Sequence, residues 1–452
     1  MASTAVQARN PQEPHAEGDD PTNRPAPKGR MLGIDVLRAL AILGMVWLHF
    51  TLTGWGSPAP PGRPADSTLS WINGLLGTRS REIFFLLAGV TVALLTGGTS
   101  VRRGRERVLA WKRVAVRAGM LFVLALVLGE LGEWEAQILH YYALWLLLLL
   151  PLSVLRVRTL LIIAGVLAVL CPAFKIAADH AGASWGFLPG LPPKQLAGGF
   201  ELLIHPGEWL ATLQNVFFGL GSIGQDTISV LPFLVLGLAL GKLDLREAAV
   251  RRRMMVAGAG TAVAALLLSL VSMYPLGAVD KVDAYKNPPA AAAAAPATAG
   301  GAPSAPPQMP KAPWESLVTM GHPGPADKQL SATEGTFMLG TITALLGGLL
   351  TLMDKQLWRR LLRPFAAFGS MALTWYFGHF LWLTYLAPVS APQGESAGRS
   401  VLSFAVFAVV SLTASLLWRT WLRRGPLEWL VHQVVTVAVP GRARRHRAGH
   451  SN

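Results

Sequence analysis

Three ionisable side chains lie inside one apolar stretch near the start of the chain. The stretch Met31 to Phe50 is long enough to cross a bilayer and contains Asp35, Arg38 and His49. At 100° per residue, these three positions fall within about 60° of one another on a helix. About 16 Å of helix axis separates Arg38 from His49. An ionisable group inside a membrane helix costs about 2.5–3.5 kcal/mol on insertion scales, so this stripe requires a reason.

The chemistry available to this stripe is proton transfer at one end and anion binding at the other. An imidazole titrates near neutral pH, so His49 is suited to general acid–base catalysis. The guanidinium of Arg38, with Asp35 beside it, keeps its charge and fits a phosphorylated donor. Structural alternatives stay open for both ends. His49 could bond a backbone carbonyl, and Asp35 could simply neutralise Arg38 so that the helix inserts.

Two further segments carry groups that could reach His49. Arg81 and Glu82 head the second apolar stretch, where the Glu82 carboxylate could orient the imidazole. His379 lies in a later apolar stretch, at a depth that allows it to converge on His49. We therefore predict His49, Glu82 and His379 as catalytic residues.

A set of aromatic and histidine residues is predicted to face the acceptor. His140, Tyr141 and Tyr142 begin one apolar stretch, and Tyr376 lies one turn before His379. An aromatic belt at the membrane surface is the alternative explanation for the tyrosines. His140, Tyr142 and Tyr376 are the predicted substrate contacts.

Composition indicates that membrane-embedded segments position these groups. The chain has 452 residues, of which 52% are hydrophobic and only 14% charged, and a formal net charge of +15. Soluble domains average about 25% charged residues. The positive residues stand in short blocks beside apolar runs, which is typical of the cytoplasmic side of a membrane protein and argues against nucleic-acid binding.

The apolar runs predict an all-α polytopic integral membrane protein. With about ten transmembrane helices and both termini cytoplasmic, every strongly basic block falls on the cytoplasmic side. His49 then lies near the outer face, and Arg38 near the inner face. The predicted spans are 31–50, 83–96, 115–131, 138–155, 159–174, 228–240, 254–276, 337–353, 365–386 and 401–418.

The remaining segments divide the chain into three parts. Residues 1–30 are polar and Pro-rich and predict a disordered cytoplasmic tail. Residues 31–435 form the membrane domain, in which 277–334 include an Ala/Pro-rich stretch predicted to be a flexible external insertion. Residues 436–452 form a basic cytoplasmic tail. A single cysteine excludes an internal disulfide and a cysteine metal cluster.

Several motifs resemble known membrane families. IDVLRALAILGMVWLH resembles the first-helix signature of the acyltransferase-3 family, in which an Arg is followed after ten residues by a His. FFLLAGV resembles its second-helix motif, with Ala88 in place of Ser. Closer is the bacterial domain-of-unknown-function 418 family, YeiB-like, which HYYALWLLLLLPL, PFAAFGSMALTWYFGHF and GPLEWL resemble. That likeness extends over Met31 to Val435, and both families are similar to heparan-alpha-glucosaminide N-acetyltransferase.

The resemblance implies acyl transfer across a bacterial plasma membrane. Acyl-CoA, acetyl-CoA above all, would bind from the cytoplasm against Arg38, Asp35 and Arg81, without a metal. A hydroxyl or amine of a cell-envelope sugar or lipid would be the acceptor, with reaction near His49. Membrane lipids are the other expected partners, and self-association through small residues stays open.

Two other classes of function share these features. A transporter or flippase of envelope precursors also needs intramembrane charge and glycine-rich helices. Against it, the charged first helix has no counterpart in the second half of the chain, as an inverted repeat would require. A regulatory membrane protein whose histidines respond to pH is the third alternative.

Overall fold

The computed structural model describes nine segments of the chain. They are residues 30–51, 79–131, 138–180, 199–210, 228–286, 313–320, 331–386, 401–422 and 424–440. Within these segments all regular secondary structure is helical, which confirms the predicted all-α class.

Fifteen α-helices occur in the described segments. They are α1 Leu32–Thr51, α2 Arg79–Thr96, α3 Gly104–Glu130, α4 Leu139–Leu152, α5 Val157–His180, α6 Glu201–Ile204, α7 Leu231–Leu240, α8 Ala248–Met273, α9 Ala278–Lys286, α10 Ala332–Leu352, α11 Gln356–Leu361, α12 Arg363–Gly369, α13 Ala372–Leu381, α14 Val401–Trp421 and α15 Pro426–Ala438.

Five helices are long and apolar enough to cross a bilayer, which confirms a multi-pass membrane protein. They are α1, α5, α8, α10 and α14, and two shorter apolar helices occur at Leu139–Leu152 and Ile228–Leu240. Helical segments lie at all ten predicted span positions. The count of ten membrane crossings and the orientation of the termini stay predictions.

The helices differ in how deeply they are packed. In α1, 72% of the residues of the most apolar window are buried, whereas in α14 only 22% are. Helix α1 packs against α2, α10, α12, α13 and α14. Helices α5, α8 and α14 expose Leu and Val side chains, the composition that lipid tails favour. Polar groups on α1 are therefore enclosed by protein.

Glycines allow two helix pairs to approach closely. A Cβ at Gly89 of α2 would collide with the carbonyl oxygen of Leu234 of α7. Between α8 and α10, a Cβ at Gly258 would lie 2.6 Å from the carbonyl oxygen of Gly340. The missing side chain of Gly89 is therefore what lets α2 and α7 touch.

The predicted span 365–386 is not one continuous helix. Helix α12 ends at Gly369, α13 begins at Ala372, and Trp382–Leu386 form a π-helical turn. A Gly-Ser pair is a recognised cause of sharp kinks. A Cβ at Gly369 would collide with the carbonyl oxygen of Asp35, so this glycine also lets α12 lie directly on α1.

Two contacts near helix ends agree with the side of the membrane that the basic blocks predict. The ammonium of Lys242, after α7, donates to the carbonyl of Leu155, after α4, at 2.6 Å. Arg251, at the start of α8, pairs with Asp354, after α10, at 2.6 Å. Each contact joins two loops that the positive-inside pattern assigns to the cytoplasm.

The predicted insertion 277–334 contains regular structure at both ends. Helix α9 and the 3₁₀ turn Trp314–Leu317 are joined by Lys281 and Glu315, whose Nζ and Oε1 atoms lie 2.5 Å apart. This hydrogen bond from Lys281 lowers the pKa of the Glu315 carboxyl. The flexibility predicted for this insertion stays a prediction. Residues 287–312 and 321–330, and the tails 1–29 and 441–452, lie outside the described residues.

Candidate functional site

The charged stripe of α1 faces one element along its length. Nη1 of Arg38 lies 3.0 Å from Oδ1 of Asp35 and 3.5 Å from the carbonyl oxygen of Gly369. At the other end of α1, Nδ1 of His49 lies 3.0 Å from Nε2 of His379. Both ends of the stripe therefore contact the broken element formed by α12 and α13.

The His49–His379 pair is a buried contact between two proton-carrying groups. His49 is 4% exposed and His379 is fully buried. The ring of Phe380 lies beside both imidazoles, with centroid distances of 5.5 Å and 4.0 Å. The expectation that His379 converges on His49 agrees with this contact, whereas the catalytic roles stay predictions.

The protonation of the two rings decides which histidine donates. Nδ1 of His379 is buried and makes no hydrogen bond among the described residues. The contact between Nδ1 of His49 and Nε2 of His379 needs one proton between the two nitrogens, carried by either ring. With that proton on Nδ1 of His49, Nε2 of His49 is the basic nitrogen.

Glu82 is held by its neighbour in the sequence. Nη2 and Nε of Arg81 lie 2.8 Å and 3.1 Å from Oε1 of Glu82, whose side chain is fully buried. A buried carboxylate requires such a partner. Arg81 is therefore engaged at Glu82, which competes with its predicted contact to the donor. The orientation of His49 by Glu82 stays a prediction.

The predicted substrate residues lie among aromatic rings between the two ends of the stripe. The hydroxyl of Tyr376 accepts a hydrogen bond from the backbone N–H of Ile138 at 2.8 Å. Phe84 packs on Tyr376 and Tyr142 at centroid distances of 6.2 Å and 5.0 Å. Tyr376 thus ties α13 to the start of α4, a structural contact that sequence reasoning did not identify.

His140 lies at the start of α4, within the same aromatic region. Its ring is buried and packs on Tyr141 at a centroid distance of 3.8 Å. Contacts of His140, Tyr142 and Tyr376 with a substrate stay predictions.

Glu428 is a site residue whose role sequence reasoning missed. Its Oε1 accepts hydrogen bonds from the backbone N–H groups of Leu373 at 2.6 Å and Thr374 at 3.2 Å, and its Oε2 accepts from the Thr374 hydroxyl at 2.6 Å. The carboxylate thus caps the start of α13, the helix that carries His379. GPLEWL was recognised as a family motif, but its sequence does not reveal which helix Glu428 caps.

Arginines from three other places surround the Arg38 end. Nη1 of Arg419 on α14 donates to the hydroxyl of Ser370 at 2.8 Å. Arg117 on α3 interacts electrostatically with Arg38 and Arg424. Sequence reasoning treated these arginines only as markers of membrane topology, because they belong to the basic blocks.

The described residues offer no cluster of three or more His, Cys, Asp and Glu side chains that could hold a metal ion. The His49–His379 pair supplies two nitrogens, which are already directed at each other. The chemistry that this arrangement can perform is proton transfer at the histidines and anion binding at the arginines.

One family model matches the chain. Residues 291–438 match the model described as protein of unknown function (DUF418). This match confirms the resemblance to the domain-of-unknown-function 418 family and contains His379 and Glu428. The α1 stripe lies before the matched region. The comparison with curated proteins finds no match.

Proposed function

We propose that this chain, whose residues 291–438 match the DUF418 model, is a membrane-embedded acyltransferase. It moves an acyl group, with acetyl as the first choice, from cytoplasmic acyl-CoA to a hydroxyl or amine of an extracytoplasmic cell-envelope acceptor. The observation that carries the proposal is the buried His49–His379 contact on the same α1 stripe as Arg38.

Each end of the stripe has one task in this reaction. Arg38 binds a phosphate of the donor, because a guanidinium fork fits phosphate oxygens and keeps its charge at every physiological pH. Asp35 holds Arg38 in place at 3.0 Å. The acyl thioester of the donor then extends along α1 toward His49, about 16 Å away.

The chemical step is a general-base reaction. Nε2 of His49 takes the proton of the acceptor hydroxyl or amine as the acceptor oxygen or nitrogen attacks the thioester carbonyl. The new ester or amide bond forms, the carbon–sulfur bond breaks, and the proton returns from His49 to the departing thiolate. His379 accepts a hydrogen bond from Nδ1–H of His49, which keeps Nε2 basic and stabilises the imidazolium that forms.

A transporter of envelope precursors is a second candidate, favoured by the interrupted helix α12–α13. Interrupted helices in transporters direct a free helix N-terminus at an anionic substrate. Here the start of α13 already donates a hydrogen bond to the carboxylate of Glu428. That occupancy favours acyl transfer over transport.

The test uses membranes that contain the full-length protein and isotopically labelled acetyl-CoA. Envelope glycans and lipids are analysed by mass spectrometry for the labelled acetyl group. We expect His49→Gln to lower incorporation by about 10²–10⁴-fold, the usual contribution of a general base.

His205→Gln is the matched control. His205 is exposed, and its ring bonds the backbone carbonyl of Glu201 in its own short segment at 2.9 Å. Incorporation should be unchanged in this variant. Labelling that persists in His49→Gln would refute the assignment, and transport of an unmodified precursor by the wild type without acetyl-CoA would favour the second candidate.

A further inference from the structure

The interruption between α12 and α13 is surrounded by guanidinium groups from separate elements. Arg38 of α1 reaches the carbonyl oxygen of Gly369 at 3.5 Å. Arg419 of α14 reaches the hydroxyl of Ser370, the next residue, at 2.8 Å. Two arginines that are far apart in the sequence therefore contact adjacent residues of the interruption.

Two more arginines adjoin this point. Arg117 of α3 interacts electrostatically with Arg38, with Arg424 and with Glu428. Glu428 in turn caps the start of α13, immediately after the interruption. Arg38, Arg117, Arg419 and Arg424 are called the arginine cluster below.

The arginine cluster has more positive than negative charge. Among the described residues, the carboxylates shown to interact with it are Asp35 and Glu428, two against four guanidinium groups. Both carboxylates are engaged, Asp35 with Arg38 and Glu428 with three hydrogen-bond donors at the start of α13. Like charges that are partly removed from water repel each other strongly, so their gathering is explained by an anionic ligand.

Accessibility is consistent with a ligand. The side chain of Arg38 is 23% exposed, Arg117 and Arg419 are half-buried, and Arg424 is exposed. Tyr142 also interacts electrostatically with Arg38 and Arg117. The cluster therefore combines partly accessible cations with a neighbouring phenol.

We propose that the arginine cluster binds the diphosphate of a nucleotide-type ligand. Arginine is suited to this ligand because its planar fork bonds two phosphate oxygens at once. The inference rests on the proposed function in one respect: there the ligand is the acyl-CoA donor, whose extended arm separates the diphosphate from the thioester. It adds Arg117, Arg419 and Arg424 to Arg38 and names the part of the donor that they recognise.

The test is a binding titration with the full-length protein in detergent. The probes are coenzyme A and inorganic pyrophosphate, and the variants are Arg117→Gln and Arg424→Gln. We expect each variant to weaken both probes by at least about tenfold, since each removes one charged contact to the diphosphate. The wild-type affinity should fall as salt is raised.

Arg253→Gln is the matched control, because Arg253 is an exposed arginine near the start of α8 and its loss changes the net charge equally. Both probes should bind this variant as they bind the wild type. Arg424 is exposed, so Arg424→Gln provides the test even if Arg117→Gln fails to fold.

The outcomes separate this inference from the proposed function. Unchanged pyrophosphate binding in Arg424→Gln, or no binding to the wild type, overturns the diphosphate site. Pyrophosphate binding that depends on the cluster, without binding of coenzyme A, supports the site and refutes acyl-CoA as the donor. A repeat in nanodiscs with and without phosphatidylglycerol tests a lipid source, and binding of the lipid headgroup in place of both probes overturns the proposal.

Discussion

The two ends of the α1 stripe face the same element but differ in burial, charge and neighbouring residues. At one end, His49 and His379 are buried side by side, with aromatic rings around them. At the other, Arg38 and Asp35 form an ion pair that is partly exposed, with further arginines nearby. A buried imidazole pair suits proton transfer, whereas accessible guanidinium groups suit an anion that enters and leaves. Under the proposed function, one helix separates donor binding from the chemical step along its length.

The first prediction tests this comparison at His379, where the expected effect is the largest of the three. Replacement His379→Gln removes the imidazole whose Nε2 lies 3.0 Å from Nδ1 of His49. We expect acetyl incorporation into the envelope acceptor to fall by about tenfold to a hundredfold, as for other groups that orient a reacting residue. Binding of coenzyme A, measured by titration, should be unchanged because the arginine cluster is intact.

A role of His379 in packing alone would lower the folded fraction without changing the pH dependence of the remaining activity. The pH–rate profile of His379→Gln therefore decides between positioning and packing. A profile identical to that of the wild type would contradict the positioning role.

A smaller effect is expected at Glu428, which links the two ends. Glu428→Ala removes the cap of α13 and should lower the free energy of unfolding in detergent by about 0.5–2 kcal/mol, the usual range for a helix cap. Glu428→Gln keeps an oxygen that accepts hydrogen bonds from Leu373 and Thr374, so its free energy of unfolding should fall by less. Stability of Glu428→Ala equal to that of the wild type would show that the cap contributes nothing.

The smallest effect concerns His432, on α15 beside the arginine cluster. Burial lowers the pKa of His432 below its usual value, and the neighbouring Arg424 and Arg117 lower it further by repulsion. Arg424→Gln should therefore raise the pKa of His432, as measured by an NMR titration of the labelled ring. Arg253→Gln is the control and should leave that pKa unchanged; a change of equal size would indicate a general effect of net charge.

The stripe itself was readable from the sequence because helical periodicity is local. The steps from Asp35 to Arg38 and from Arg38 to His49 require only the residue count per turn. Depth in the membrane also suggested His379 as a partner of His49, since both lie toward the outer ends of predicted spans that cross in the same direction.

Other parts of the site depend on contacts that no local pattern encodes. Glu428 caps a helix that begins more than fifty residues earlier, so its role follows only from the packing of α15 against α13. Arg117 belongs to a basic block that was interpreted only as a marker of membrane topology. Its interaction with Arg38 was therefore missed. The break at Ser370 was missed, although Gly-Ser is a known kink signal, because the flanking residues continue the apolar run.

The central place of α1 has a consequence for biogenesis. This helix precedes the other described helices in the chain, whereas α10, α12, α13 and α14, which pack against it, come late among them. Until they are synthesised, its polar stripe has to be sheltered by the insertion machinery or by temporary neighbours. A chain that stops before α10 would therefore carry an unprotected charged helix that quality control can recognise.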